Sequence, residues 1–266
     1  MTWKSQLDIR RPHWDGYRDI LGRLPENRFP DIAQLNRLLP PGTANRRGQP
    51  IKFVDSDSVS DQAYEKHIYE TGDVSTRGDN WHDLFNALVW CRLPRTKAAM
   101  NALHYENLHL ERDGRRGELR DALTLLDESG AILLSSDDDL LGALAEKDWM
   151  NAFVDQRKSW SQDSRLIVCG HALLEKFLDP YKAITAQVLL LRPGDLELPH
   201  EEIPEPDLDD ALSRALLSGR LLTSTASLSP LPLMGIPGWS EGQDTEFYND
   251  RTVFRPPRAE PVKSRS

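Results

Sequence analysis

The stretch NWHDLFNALVWCRLPRTKAAMNALH, residues 80–104, constrains the fold more than any other part of the chain. Trp81, Leu84, Phe85, Leu88 and Val89 recur at helical spacing and form one apolar stripe that has to be buried. Asp79 or Asn80 can cap this helix, and Pro94 ends it, because proline offers no N–H and clashes with the preceding turn. Thr96 can cap a second helix that runs to about Leu110. If the two helices fold back at the proline corner, helical rise assigns each polar residue a height. His82 and His104 then lie about 18 and about 15 Å from the corner, and Asn86 and Asn101 about 12 and about 10 Å. Histidine is expected to face histidine and asparagine to face asparagine. Such a match suits either the wall of a site or a hydrogen-bonded helix interface.

Elsewhere the pattern alternates between helix and strand only locally. Ile32, Leu35, Leu38 and Leu39 predict a helix over Pro30 to Leu39. The segment Asp121 to Leu134 reads as a β-hairpin: DALTLL, a turn at Asp127-Glu128-Ser129-Gly130, and AILL. Asp137, with Ser135 and Ser136, caps a helix carrying Leu140, Leu141, Leu144, Met150 and Phe153. RLIVCG reads as a strand, HALLEKFL as a helix begun directly after Gly170, and KAITAQVLLL as a further strand. The expected class is therefore α+β, a helical hairpin and further helices packed on a small mixed β-sheet. A single domain over 1–256 is expected. A basic arm of about 50 residues with Trp3, Trp14 and Tyr17 would pack over its core, and 257–266 would form a disordered tail. From Gly194 to Asp210 there are eight carboxylates and no Lys or Arg, which reads as a solvated connector.

Composition narrows the classes of function. Lys plus Arg is 33 and Asp plus Glu 42, a net charge of −9, which argues against a general nucleic-acid partner. Mean hydropathy is −0.55, and apolar runs such as Ala131 to Leu134 are far too short to span a bilayer. No apolar signal core stands near residue 1, so a cytoplasmic protein without a membrane partner is expected. Cys91 and Cys169 lie in apolar stretches and read as small buried hydrophobes. No GxSxG elbow, Walker loop or GxGxxG fingerprint is present.

The remaining chemistry lies in histidines and carboxylates. His82 and Asn86, and again His171 and Glu175, stand four apart on one helix face, while Asn101 and His104 stand three apart. Imidazole titrates near neutrality and ligates divalent metals, so His82, His104 and His171 are candidate ligands of a divalent metal ion. Asp127, Glu128 and Glu175 could complete the shell or orient the rings. Together with Asn86 and Asn101 these make up the candidate catalytic set. Lys97 and the loop arginines Arg115, Arg116 and Arg120 would make the surroundings positive and suit a small anionic ligand. The expectation is a hydrolase or acid–base enzyme centred on histidine and carboxylate. The alternative is a binding or scaffold protein whose His and Asn residues satisfy one another.

Seven blocks carry a resemblance. WHDLFNALVW, P-x-T-K-x-x-x-N-x-x-H, RRGELRDALTLLDESGA, CGHALLEKFLDPY, PLPLMGIPGW, FYND and VFRP occur in that order. Together they resemble the bacterial domain-of-unknown-function family 3025, over residues 10 to 256. The resemblance implies one folded unit and places His82, Asn101, His104, Asp127, Glu128 and His171 in the family's motif blocks. A fainter likeness is to the His-Asn-His homing nucleases, which implies a metal-dependent nuclease. Here Asn101 and His104 are separated by two residues in a helical context.

Overall fold

The computed structural model describes residues 2–56, 61–108, 117–199 and 203–257. The N-terminal arm passes through two short helices, α1 (Arg18–Gly22) and α2 (Ile32–Asn36). Asp31 caps α2 by accepting from the Gln34 N–H, while Gln34 accepts from the Asp31 N–H, so this helix starts where the sequence predicts but is shorter. Trp14 and Tyr17 are fully buried; Trp14 stacks on Phe85, and the Tyr17 hydroxyl donates to the Val168 carbonyl at 2.7 Å. Each such ring removes about 150–250 Å² from water, worth roughly 4–6 kcal/mol. The arm is thus part of one apolar cluster that extends from Leu7 to Phe254.

A parallel pair follows, β1 (Lys52–Asp55) and β2 (Asp73–Thr76), linked by α3 (Asp61–Thr71). Two strands alone are marginal. Asn36 reinforces β1 by exchanging both amide hydrogen bonds with the Phe53 backbone at 2.8 Å, as a neighbouring strand would. The helical pair is present as α4 (Trp81–Arg92) and α5 (Pro94–Glu106), with Asn80 capping α4. Thr96 does not cap α5. Pro94 occupies its first position, and Asp209 from α10 (Glu205–Leu217) accepts from the Arg95 and Thr96 N–H groups, both at 2.9 Å. The acidic connector is therefore helical from Glu205 onward. Asp209 is buried there, and Glu205 is ion-paired with Arg92 and Arg165.

The hairpin expected at Asp121 to Leu134 is instead a helix followed by a strand: α6 (Glu118–Ser129) and β3 (Gly130–Ser135). Leu119, Leu123 and Leu126 are spaced for one helix face, and tertiary burial of that face decides the conformation. Asp137 caps α7 (Asp138–Glu146), which ends at Lys147 in the left-handed region, φ 59°. Met150 and Phe153 consequently lie outside that helix. Beyond α8 (Ser159–Gln162), β4 (Ser164–Val168), α9 (His171–Lys176) and β5 (Thr185–Leu191) match the expected order. β6 (Ser229–Pro232) and the short α11 (Thr245–Tyr248) complete the fold.

The main sheet has the order β4-β3-β5-β6; β3 pairs with β5 in parallel and the other pairs are antiparallel. All six residues of β3 are buried, so both of its faces are covered. The fold is α+β, with helices packed on two small sheets. No helix among the described residues is long and apolar enough to cross a membrane.

Candidate functional site

Five helices bring polar side chains to one cleft of about 490 Å³. His82 and Asn86 come from α4, Tyr64 and Glu65 from α3, and His104 from α5. Arg120, Thr124, Asp127 and Glu128 lie at i, i+4, i+7 and i+8 of α6, a single helix face, and His171 begins α9. Two glycines bring α6 and α9 together. A Cβ on Gly170 would meet the Gly130 nitrogen at 2.4 Å and the Glu128 carbonyl oxygen at 2.6 Å. Only the bare backbone lets the end of α6 and the start of α9 approach this closely, setting Glu128 beside His171.

The two helices do not meet like to like. His82 lies against His171, with Nε2 to Nε2 3.0 Å and the rings edge to face at 76°. Its Nδ1 is 3.3 Å from Glu175 Oε2. Asn86 donates to the Tyr64 hydroxyl at 2.9 Å and accepts from Lys97 at 3.0 Å, while Asn101 donates to the Glu65 carboxylate at 2.6 Å. The cause is packing: α9 lies along α4 and α3 along α5, so polar partners arrive from outside the pair. Asn101 and His104 both lie within α5.

His82, His171 and Glu128 each offer one donor atom, all within 4.8 Å of one another. His171 Nε2 is 3.6 Å from Glu128 Oε2. Each imidazole is backed by a carboxylate: Glu175 behind His82, and Asp127, whose Oδ2 is 3.8 Å from Nδ1, behind His171. Asp127 also takes the buried Lys97 ammonium at 2.5 Å. Burial, opposed by Asp127 but helped by Lys97 and His82, pushes the His171 imidazole down to about 4, so the ring is neutral at pH 7. Burial and the neighbouring Asp127 push the Glu128 carboxyl up. Burial works the same way on Asp127, yet Lys97 and His171 outweigh it and hold that carboxyl below its ordinary value.

His104 lies on the cleft wall but outside this donor group, so the candidate ligand set is His82, His171 and Glu128 in place of three histidines. Arg115 and Arg116 fall outside the described residues. Arg120 is buried at the cleft, and Lys97 is engaged by Asp127 and Asn86. The wall also holds residues that were not anticipated: Tyr64, Glu65, Arg77, Asp83 and Thr124, with Ser56 and Ser75. Arg77 is held by both oxygens of Asp83 at 2.9 Å. Tyr64 and Ile68, four apart in YEKHI, were the available signal for α3. Cys91 and Cys169 are free and buried, and burial pushes both thiols up to about 12, away from nucleophilic use.

Neither a curated protein nor a solved structure matches the chain. The model of a family of proteins of unknown function, DUF3025, matches residues 51–258, a span that contains every cleft residue named above and leaves the arm outside. The chain belongs to that family.

Proposed function

We propose that the cleft is the active site of a metal-assisted hydrolase for a small polar substrate, with a divalent ion held by His82, His171 and Glu128. The observation that carries this reading is the 3.0 Å approach of two imidazole Nε2 atoms beside a carboxylate. Two nitrogens bound at about 2.0–2.1 Å in a tetrahedral shell are about 3.3 Å apart, so the rings need to move little to share an ion. Two imidazoles and one carboxylate leave a position open, the pattern of catalytic rather than structural sites. Glu175 and Asp127 then orient the rings, as carboxylates behind metal-binding histidines do. A divalent ion there would lower the pKa of a water it holds and would supply the positive charge that meets an anionic group. That charge matters, because Lys97 and Arg77 are already engaged by Asp127 and Asp83.

The 3.0 Å contact also fits a second reading, in which one Nε2–H donates to the other ring and the network is purely structural. One experiment separates the two. The protein, purified without chelator and loaded with Zn²⁺ or Mn²⁺, is assayed against a panel of small activated esters and phosphoesters. Turnover that is lost with chelator and in His171→Ala supports the hydrolase. No turnover anywhere in the panel, together with an unchanged melting temperature on metal addition, supports the structural network.

A further inference from the structure

Beside the cleft, sharing Tyr64, Glu65, His104 and Asp127 with it, lies a small void of about 10 Å³ that Trp90, Lys97 and Asn101 also border, with the apolar Ile68 and Met100. It has the size of a single water molecule. Three buried atoms on residues that border it have no hydrogen-bond partner: the acceptor Asn101 Oδ1, the ring nitrogen His104 Nδ1 and the donor Trp90 Nε1, on residues only 3%, 6% and 1% exposed. The Asn101 amide cannot be turned to hide its oxygen. Its Nδ2 is committed to the Glu65 backbone carbonyl at 2.8 Å and the Glu65 carboxylate at 2.6 Å, both of which only accept. Lys97 uses two of its three protons, on Asn86 at 3.0 Å and Asp127 at 2.5 Å, which leaves a third to give, and the residue borders the void. His104 borders both the void and the cleft.

We infer that this chamber holds one ordered water, which accepts from Lys97 and from Trp90 Nε1, donates to Asn101 Oδ1 and His104 Nδ1, and so fixes His104 as a hydrogen-bond donor toward the cleft. The bonding is complete on every side. A water has two protons and two lone pairs; Asn101 Oδ1 and His104 Nδ1 use the protons, and the N–H groups of Lys97 and Trp90 fill the lone pairs, which leaves His104 Nδ1 to accept. When Nδ1 accepts, the proton of a neutral imidazole resides on Nε2, because the partner of one ring nitrogen sets the state of the other. Burial lowers the His104 pKa, with Arg120 and Lys97 acting in the same direction and Glu65 and Asp127 against it, which keeps the ring neutral at pH 7. His104 thereby presents Nε2–H to a substrate oxygen in the cleft, a role distinct from the ligand role of His82 and His171. The chamber does not depend on the metal reading; only the use of the donor in hydrolysis does.

The test combines an atomic-resolution crystal structure of the full chain with ¹⁵N NMR of its histidine rings, with and without Zn²⁺. The His104 signal is assigned by its loss in His104→Gln. The inference predicts one water in contact with Asn101 Oδ1 and His104 Nδ1, and a His104 ring protonated on Nε2 whether or not Zn²⁺ binds. In Asn101→Leu, whose side chain fills the void, the water is absent. An empty chamber in the wild-type crystal, or a ring protonated on Nδ1, would overturn it. Failure of Zn²⁺ to bind would bear on the hydrolase alone and leave this result standing.

Discussion

Replacing Lys97 with methionine removes the only ammonium among the described residues that touches the Asp127 carboxylate, and the cost can be worked from burial. Lys97 and Asp127 side chains are 8% and 15% exposed, so solvent screens the pair little. Deleting one member of a buried ion pair strands the other charge, at a cost of about 3–5 kcal/mol. For a chain of this size each kcal/mol moves the melting temperature by about 2–4 °C, so Lys97→Met should melt about 6–20 °C lower. Asp127→Leu should cost a similar amount by stranding the lysine. The double variant should recover most of the loss, because an apolar pair of similar volume replaces an ion pair at little net cost. Urea unfolding of all four proteins gives the coupling energy directly. The sign of the pH dependence is a further check. In the wild type the Asp127 carboxyl is held below its ordinary value, so its contribution is present at neutral pH and lost as the pH falls through that lowered value. In Lys97→Met burial meets less opposition, the carboxyl titrates higher, and the variant should lose less stability at acid pH than at pH 7. Costs that simply add to within about 0.5 kcal/mol in the double variant would refute the reasoning.

Two further outcomes follow from other parts of the molecule. His13 is buried against Phe177, with ring centroids 4.5 Å apart, and burial pushes its pKa from 6.5 down to about 4. An unfolded chain binds that proton first, so stability falls as the pH drops from 6.5 to 4, by roughly 3 kcal/mol for this group. His13→Phe should flatten this part of the melting curve against pH, and an unchanged slope would contradict the assignment. Gly170→Ala would drive a Cβ into the Gly130 nitrogen and the Glu128 carbonyl, which are backbone atoms and cannot step aside. It should destabilise by at least about 1–3 kcal/mol and weaken metal binding by displacing His171 from Glu128, read by thermal melting and by calorimetric titration.

Much of this was legible in the chain itself, for definite physical reasons. The α4–α5 pair, the strand before Gly170 and the helix after it follow from apolar spacing and from proline and glycine, which act locally. The stretch at Asp121 misread as a strand because two adjacent leucines before a turn-like Asp-Glu-Ser-Gly suit either period. Leu119, Leu123 and Leu126 settle it as a helix only once their face is buried. That correction moves Asp127 and Glu128 from a turn to the last turn of α6, where Glu128 reaches His171. His82, His171 and Glu175 were marked by their i, i+4 spacing. Pooling them as ligands followed from residue type alone; that His82 meets His171 rather than His104 was not marked, since 89 residues separate the two and nothing local encodes that approach. Asp209 was hidden in an acidic run, and its buried capping of α5 is a tertiary contact with no sequence signature.

The central claim is that His82, His171 and Glu128 form a divalent metal site, and titration of chelator-treated protein with Zn²⁺ by calorimetry tests it most directly. One ion per chain is predicted for the wild type, with a raised melting temperature. Binding should be lost in His82→Ala and in His171→Ala and should weaken in Glu128→Gln, while Glu175→Gln should lower affinity by about 10–100-fold. A wild-type protein that takes up no ion, or an affinity that His171→Ala leaves unchanged, would contradict it.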